Sequence, residues 1–464
     1  MDENSIKEIT IDDIHKPTEN VEVFLFNVGQ GDHILIKFPS LDYGIIDFHY
    51  DEEINGFAEP PALTYFKKLK ASVTEEAFRE INISFFCISH TDKDHIKGVL
   101  ETIEWFDENG VFIQEFWFGA ARDKSQMELF LEKKIKEYFM SHLSNEDKMK
   151  RANQFKSYNK NLNLFFKAFQ KWKTKGFKST RYFCEETGSG DYLVDIKSLR
   201  RPSSSTDIKA FNIGPLSSDL DEYYKNVNID IFDRIVLGKK SNRTDKNSMS
   251  HILCIKYKTK TLIFGGDTHK QVWENCLQRY TDERFDFYKQ FGSLEASFIK
   301  VSHHGSKNST SQYIWNSILA KNFKSVLGIS SGCHGRYRHP HSETIEDIRS
   351  ITSDYEVLCT NICGKCINFL PYPKENHRWY EQSNTLQTII PTDSKTKEIF
   401  SNTDLFISDE ASSQEEMGLL AYIFEISPED KPVNVRIAIS TNSLTNNCFY
   451  NEQEEKFSDI CKSV

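Results

Sequence analysis

No run of apolar residues in this chain approaches the roughly 18 that a helix needs to cross a bilayer. A helical channel or transporter is therefore excluded, and no membrane partner is expected. The first residues, MDENSIKEIT, are acidic and polar, without the basic and then apolar build of a secretory signal. A cytoplasmic location is the expectation. Cysteine is sparse, 10 in 464 residues, and its spacing repeats nowhere. That excludes a disulfide framework and fits reduced thiols. The one local cluster, Cys359, Cys363 and Cys366 in CTNICGKC, has no fourth ligand nearby. It is read as a strand, a turn at Gly364 and a strand rather than as a structural zinc site. Internal repeats are also missing.

Apolar residues make up 38% and aromatics 13%, including 35 Phe, enough to bury a sizeable core. The length allows two or three domains, or one large domain with insertions. Net charge is −10 and unevenly spread. Residues 121–181 hold 16 Lys and Arg against 6 Asp and Glu, whereas residues 372–464 hold 8 against 16. A basic block in an acidic chain suggests a polyanionic partner. Aromatics interleave with it in NLNLFFKAFQKWKTKGFKSTRYF, as in proteins that stack nucleic-acid bases. The plainer alternative is a solvated helical face whose Phe residues form an apolar stripe.

Strands are predicted at VEVFLFNV (21–28), HILIKF, YGIIDF, INISFFCIS (81–89), IQEFWFGA (113–120), HILCIKY, TLIFGGDTH (261–269), ASFIKVSHHGS (296–306), SVLGISSG, EVLCTN and KCINFL. Two more are predicted late, at GLLAYIFEIS and VNVRIAIS. Helices are predicted over 61–80 and in IKGVLETIEWF, with an inserted helical subdomain over 124–175. Asp47, the His90 cluster, Asp267 and His303 each fall at the C-terminal end of an apolar strand. Strands of one sheet would bring those ends to one edge.

The densest chemistry is ISHTDKDHIKG (88–98), where His90, Asp92, Asp94 and His95 follow H-x-D-x-D-H. Imidazoles mixed with hard carboxylates on one tight loop suit zinc, manganese or iron. The alternative is a charged loop whose Asp94 favours the dipole of the following helix. In GGDTH, glycines allow close backbone approach to an Asp267 that could bridge two metals; alone, Gly-Gly-Asp is also a plain turn. SHHGS presents His303 and His304 before Gly305. In RHPHS, His339 and His341 flank Pro340, which stiffens them for phosphate binding or for protonating a leaving group.

In order, NVGQGDHILIK, GIIDF, SHTDKDHIKG, NSMSHILCIKY, LIFGGD, VSHHGS and RYRHPH resemble the motif series of the metallo-β-lactamase-fold nuclease domain of the competence protein ComEC. The resemblance spans roughly residues 20–371. It implies an α/β fold, the metallo-β-lactamase αββα sandwich, with a helical basic insertion over 124–195 and a small C-terminal extension over 372–464. It implies two divalent ions, Zn²⁺ or Mn²⁺ with Mg²⁺ the alternative, held by His90, Asp92, Asp94, His95, Asp267 and His303. Asp47, Asn247 and His304 would stand behind the ligands, Asn247 near the place of the broader superfamily's third histidine. Asp94, Lys93 and His341 would act at the reaction centre. Lys97 replaces a glycine common in the group.

The activity so implied is phosphodiester hydrolysis, a DNase using a dinuclear metal-activated hydroxide. DNA would be gripped by Lys167, Lys171, Lys173, Lys175 and Lys178, with RNA as the other polymer. Stand-alone relatives suggest an effector in bacterial antiviral defence or a toxin system, triggered or restrained by a protein partner. Two other readings stay open: a phosphodiesterase on a small or lipid-linked substrate such as phosphorylcholine, and a silent partner-binding module.

Overall fold

The computed structural model describes residues 19–39, 42–50, 58–79, 81–90, 92–118, 179–182, 193–195, 208–216, 218–219, 222, 246–280, 292–331, 339–351, 355–360, 418–429 and 431–440. Most of the basic block, all five lysines assigned to nucleic acid, the helical subdomain expected over 124–175, Cys363 and Cys366 lie outside the described residues.

The described chain builds two sheets. The first contains β1 (Val21–Phe26), β2 (Ile34–Lys37), β3 (Asp42–Ile46), β4 (Asn82–Ile88), β5 (Phe112–Phe118), β6 (Ser179–Tyr182), β14 (Gly418–Ile426) and β15 (Asn434–Ser440), in the order β15-β14-β1-β2-β3-β4-β5-β6. The second contains β7 (Leu193–Asp195), β8 (Ile208–Gly214), β9 (Ile252–Tyr257), β10 (Lys260–Phe264), β11 (Phe298–Lys300), β12 (Ser325–Ile329) and β13 (Tyr355–Cys359), in the order β13-β12-β11-β10-β9-β8-β7. Strand alternation decides what each face buries. Val21, Val23 and Leu25 of β1 point toward the second sheet and meet a core that includes Leu253, Ile255, Leu262, Phe298 and Val326. Phe24 and Phe26 point the other way, onto helix α1 (Pro61–Ser72) and helix α4 (Val99–Glu108) through Tyr65, Phe66 and Phe106. The outer face of the second sheet is covered by α5 (Lys270–Tyr280), α6 (Gln312–Ile318) and α7 (Ser342–Ile351), through residues such as Trp273, Trp315 and Ile348. The layers run helix, sheet, sheet, helix, as the α/β expectation required. Strands buried on both faces lose most of their polar alternation, as in β4, which is buried at every position.

Two elements differ from the sequence reading. The helix expected over 61–80 is two, α1 and α2 (Glu75–Arg79), because Val73 is extended and the Thr74 hydroxyl accepts from the Ala77 amide to start a new helix. The late strands form, but not as an appendage beyond residue 371. β14 pairs antiparallel with β1 from Val21↔Ile426 to Phe26↔Ala421, and Tyr422, Phe424 and Ile426 enter the core between the sheets. Ala421 and Ile423 enter the core on the other face of the sheet, so the apolar run of GLLAYIFEI is buried on both faces, and the β1 edge supplies the place.

Part of each sheet is parallel: β3, β4, β5 and β6 in the first, β10, β11, β12 and β13 in the second. Parallel pairing puts the C-terminal ends of these strands at one edge, where the chemistry-bearing loops meet.

Candidate metal centre

Asp47 follows β3 with a left-handed backbone, φ 56, and is fully buried. An aspartate tolerates that conformation only where its surroundings hold it, and such strain collects at working sites. Here one carboxylate oxygen accepts the Ser89 amide at 2.8 Å, and the other lies 2.7 Å from both the Ser89 hydroxyl and His95 Nδ1. Asp47 thereby fixes the start of the loop after β4 and orients the His95 ring. The Nε2 edge of that ring then faces Asp267 Oδ2 at 3.3 Å.

The loop itself turns into a one-turn helix, α3 (Lys93–Ile96), that places Asp94 and His95 together. His90, buried just before it, stacks its ring 4.0 Å from that of His95, with Ser89 Oγ 3.1 Å from Nδ1. Asp92 is half-buried, its carboxylate 3.8 Å from His90 Nε2.

Asp267 arrives from the second sheet after β10. Its amide donates to Ser250 Oγ at 2.7 Å, and that hydroxyl stands 3.5 Å from His90 Nδ1. Gly266 allows this closeness: its φ is +49, and a Cβ there would lie 2.3 Å from Ser250 Oγ. After β11, His303, His304 and Gly305 all have positive φ, at 48, 53 and 80. This left-handed turn sends the two histidines apart. His304 Nε2 comes within 3.5 Å of Asp267 Oδ2, while Nδ1 donates to the Ser330 carbonyl at 2.8 Å. His303 instead faces Asn247 at 3.3 Å and Ser309 at 3.4 Å.

Two overlapping donor sets result, His90–His95–Asp267 and Asp94–His95–His304, each with its ligand atoms within 4.8 Å of one another. The resemblance put His303 among the ligands and His304 behind them, while SHHGS alone left either open; the turn brings His304 rather than His303 into a donor set. Asp92 falls outside both sets.

The donor set fits divalent cations on two observations. First, His95 Nε2, His304 Nε2 and Asp267 Oδ1 are buried without a hydrogen-bond partner, which is costly unless something else satisfies them. Second, the local field calls for positive charge. Burial would lower His95, but the Asp267 and Asp47 carboxylates on either side outweigh it and hold the imidazole well above its ordinary value. Burial would raise Asp267, yet His304, His95 and His303 hold it well below the carboxylate range. Burial raises Asp94 and Asp47.

The remaining predicted residues sit around this centre. His339 has its ring 6.1 Å from His304 and 5.4 Å from His303, and His341 lies one step further out, its ring 4.8 Å from His339. Burial pushes His339 down to about 3 and lowers His341, which favours the neutral imidazole in both. Lys97 turns away: its amine donates to the Tyr50 carbonyl and sits 4.0 Å over the Tyr50 ring. The Lys93 side chain lies outside the described residues.

Sequence reasoning missed Ser89, Asp32 and Lys300, and it named Ser250 only, with Asn247 and Ser248, at the place of the superfamily's third histidine. A lone serine leaves no pattern. Asp32 and Lys300 did leave one: each is a charge set in an apolar run or at its end, HILIKF after Asp32 and ASFIKV around Lys300.

No protein-family profile matches the chain, and no curated protein matches it. Among solved structures it is similar to the crystal structure of the metallo-β-lactamase fold protein YhfI from Bacillus subtilis. That likeness has a TM-score of 0.32 and 9% identity, and covers 73% of this chain and 96% of that one.

Proposed function

We propose that the chain is a metal-dependent phosphodiester hydrolase acting on DNA. The observation that carries the hydrolase reading is the convergence of His90, Asp94, His95, Asp267 and His304, from three strand ends in two sheets, on one point. Bound cations would supply a Lewis acid for the phosphoryl oxygens and an activated water. The chain's own residues do the rest. Asp47 fixes the tautomer and direction of His95, so that Nε2 is the free donor edge. Ser250 holds Asp267 and stands beside His90. Neutral His341 offers a hydrogen bond to a phosphate oxygen at the rim.

DNA as the substrate rests on the motif resemblance and on the 16 basic residues within 121–181. A polymer gripped by its phosphates needs such a block; a small phosphodiester does not. The test is incubation of the purified protein with supercoiled plasmid and single-stranded DNA in Mn²⁺, Mg²⁺ or Zn²⁺, beside Asp94→Ala and His95→Ala. Cutting by the unmodified chain alone supports the proposal. Hydrolysis of bis-p-nitrophenyl phosphate without cutting of DNA or RNA moves the substrate to a small phosphodiester. Inactivity on all of them, with no metal taken up, returns the chain to a binding module.

A further inference from the structure

Lys300 is a charged residue in the middle of the second sheet, 0% exposed, and it ends a strand, Phe298–Lys300, that is otherwise apolar. Its amine pairs with the carboxylate of Asp32, itself 1% exposed, and donates to the Gly266 carbonyl at 3.2 Å. We propose that Lys300 and Asp32 are positioning residues for the metal centre: one buried ion pair sets the spacing of Asp267, His304 and Asp94. The inference rests on reading the cluster as a metal centre.

Three contacts make the pair more than a tie between sheets. Gly266 directly precedes Asp267, so the Lys300 bond holds the turn that presents that carboxylate. Asp32 Oδ1 stands 3.7 Å from His304 Nδ1, on the ring edge opposite the one that faces Asp267. The Asp32 amide donates to the Asp94 carbonyl at 3.2 Å, which ties the first sheet's loop to α3. A pair meant only to join the sheets has no need of charge. Burying two ions is costly, and apolar residues of equal volume commonly hold such a place as well or better.

A further observation points the same way. Asp32, Asp47 and His95 keep donor atoms within 4.8 Å of one another, a third carboxylate–imidazole pocket beside the two already described. The Lys300 amine pairs with the Asp32 carboxylate of that pocket. It holds the Asp32 carboxylate back from the ions, which then belong to the sets built on Asp267 and His304. Loss of Lys300 frees Asp32 to compete as a ligand.

The test strips the full chain of metal with a chelator and titrates it with Co²⁺, reading the visible absorption bands that report ligand geometry, with circular dichroism as a check on folding. The variants are Lys300→Met, Asp32→Asn and the charge-neutral double Asp32→Asn/Lys300→Met. In the unmodified chain Co²⁺ gives a saturable spectrum. Each single variant is expected to bind Co²⁺ about 10- to 100-fold more weakly, the usual effect of losing a group behind a ligand, and with shifted bands. The double variant keeps its fold and stays impaired. A folded double variant with the original affinity and spectrum overturns the proposal. A double variant that does not fold also counts against it, because the pair would then be holding the sheets rather than the ligands. No Co²⁺ spectrum from the folded unmodified chain would instead overturn the metal reading itself.

Discussion

Asp47 concentrates the design of the centre in one side chain. It has no solvent, a left-handed backbone and three partners, one of them the imidazole at the middle of the donor sets. Its carboxylate does two things for His95: it accepts the hydrogen bond from Nδ1–H, and it raises the basicity of Nε2 toward a cation. Asp47→Asn keeps the size and can keep a hydrogen bond but loses the charge. Metal affinity is expected to fall about 10- to 100-fold, measured by competition with a chelator of known affinity. Unchanged affinity would mean that the loop after β4 is held by its backbone alone. A second residue, His33, makes the fold sensitive to acid. Burial drives its imidazole down to about 3, and its Nε2 accepts the Ala62 amide at 3.2 Å at the start of α1, which only the neutral ring can do. The unfolded chain binds this proton below about 6.5 and the folded chain only near 3, so stability is full above 6.5 and is lost as pH falls through that window. At pH 5 the expected loss is about 2 kcal/mol from His33. Denaturant unfolding at pH 7 and pH 5 measures it, and His33→Gln should flatten the difference by about that amount.

At the scale of elements, legibility followed the range of the interactions. The H-x-D-x-D-H loop and GGD were readable because a donor cluster behind an apolar strand is a local pattern. The break at Val73 was also written locally, in Thr74 followed by two glutamates, a helix-start signal inside what looked like one helix. Which of His303 and His304 turns toward Asp267 was not readable, since adjacent identical residues are told apart only by three positive φ angles in a row. Nor was the union of β14 with β1, which lie some four hundred residues apart and share no local signal. That union carries a prediction. Phe424 is fully buried, its ring 4.6 Å from that of Phe298 in the opposite sheet. Phe424→Ala is expected to cost about 3–5 kcal/mol, read from chemical denaturation. A chain ending at residue 371 should lose cooperative thermal unfolding altogether, because it bares the β1 edge and one end of the core between the sheets. A sharp melt from that truncated chain would show the C-terminal hairpin to be an accessory.

Across the whole molecule, the excess of ten positive charges in 121–181 stands against a net charge of −10 and a C-terminal stretch, 372–464, that is itself acidic by eight. A chain that merely needed solubility would have no reason to segregate charge in this way. On the proposed reading the chain does, because a carboxylate cluster would repel phosphate until cations neutralised it, and grip would have to come from elsewhere. If Lys167, Lys171, Lys173, Lys175 and Lys178 supply that grip, binding should weaken as salt rises, with a slope set by the number of phosphates neutralised. Replacing all five by Gln is then expected to lower duplex affinity and to flatten the plot of log affinity against log salt by as much as about 4. Fluorescence anisotropy of a labelled duplex at several salt concentrations measures both. Metal uptake by the same variant should stay as it was, since none of the five belongs to the donor sets. An unchanged salt slope would remove these lysines from the interface and shift the substrate toward small phosphodiesters, which reach the centre without a polymer track.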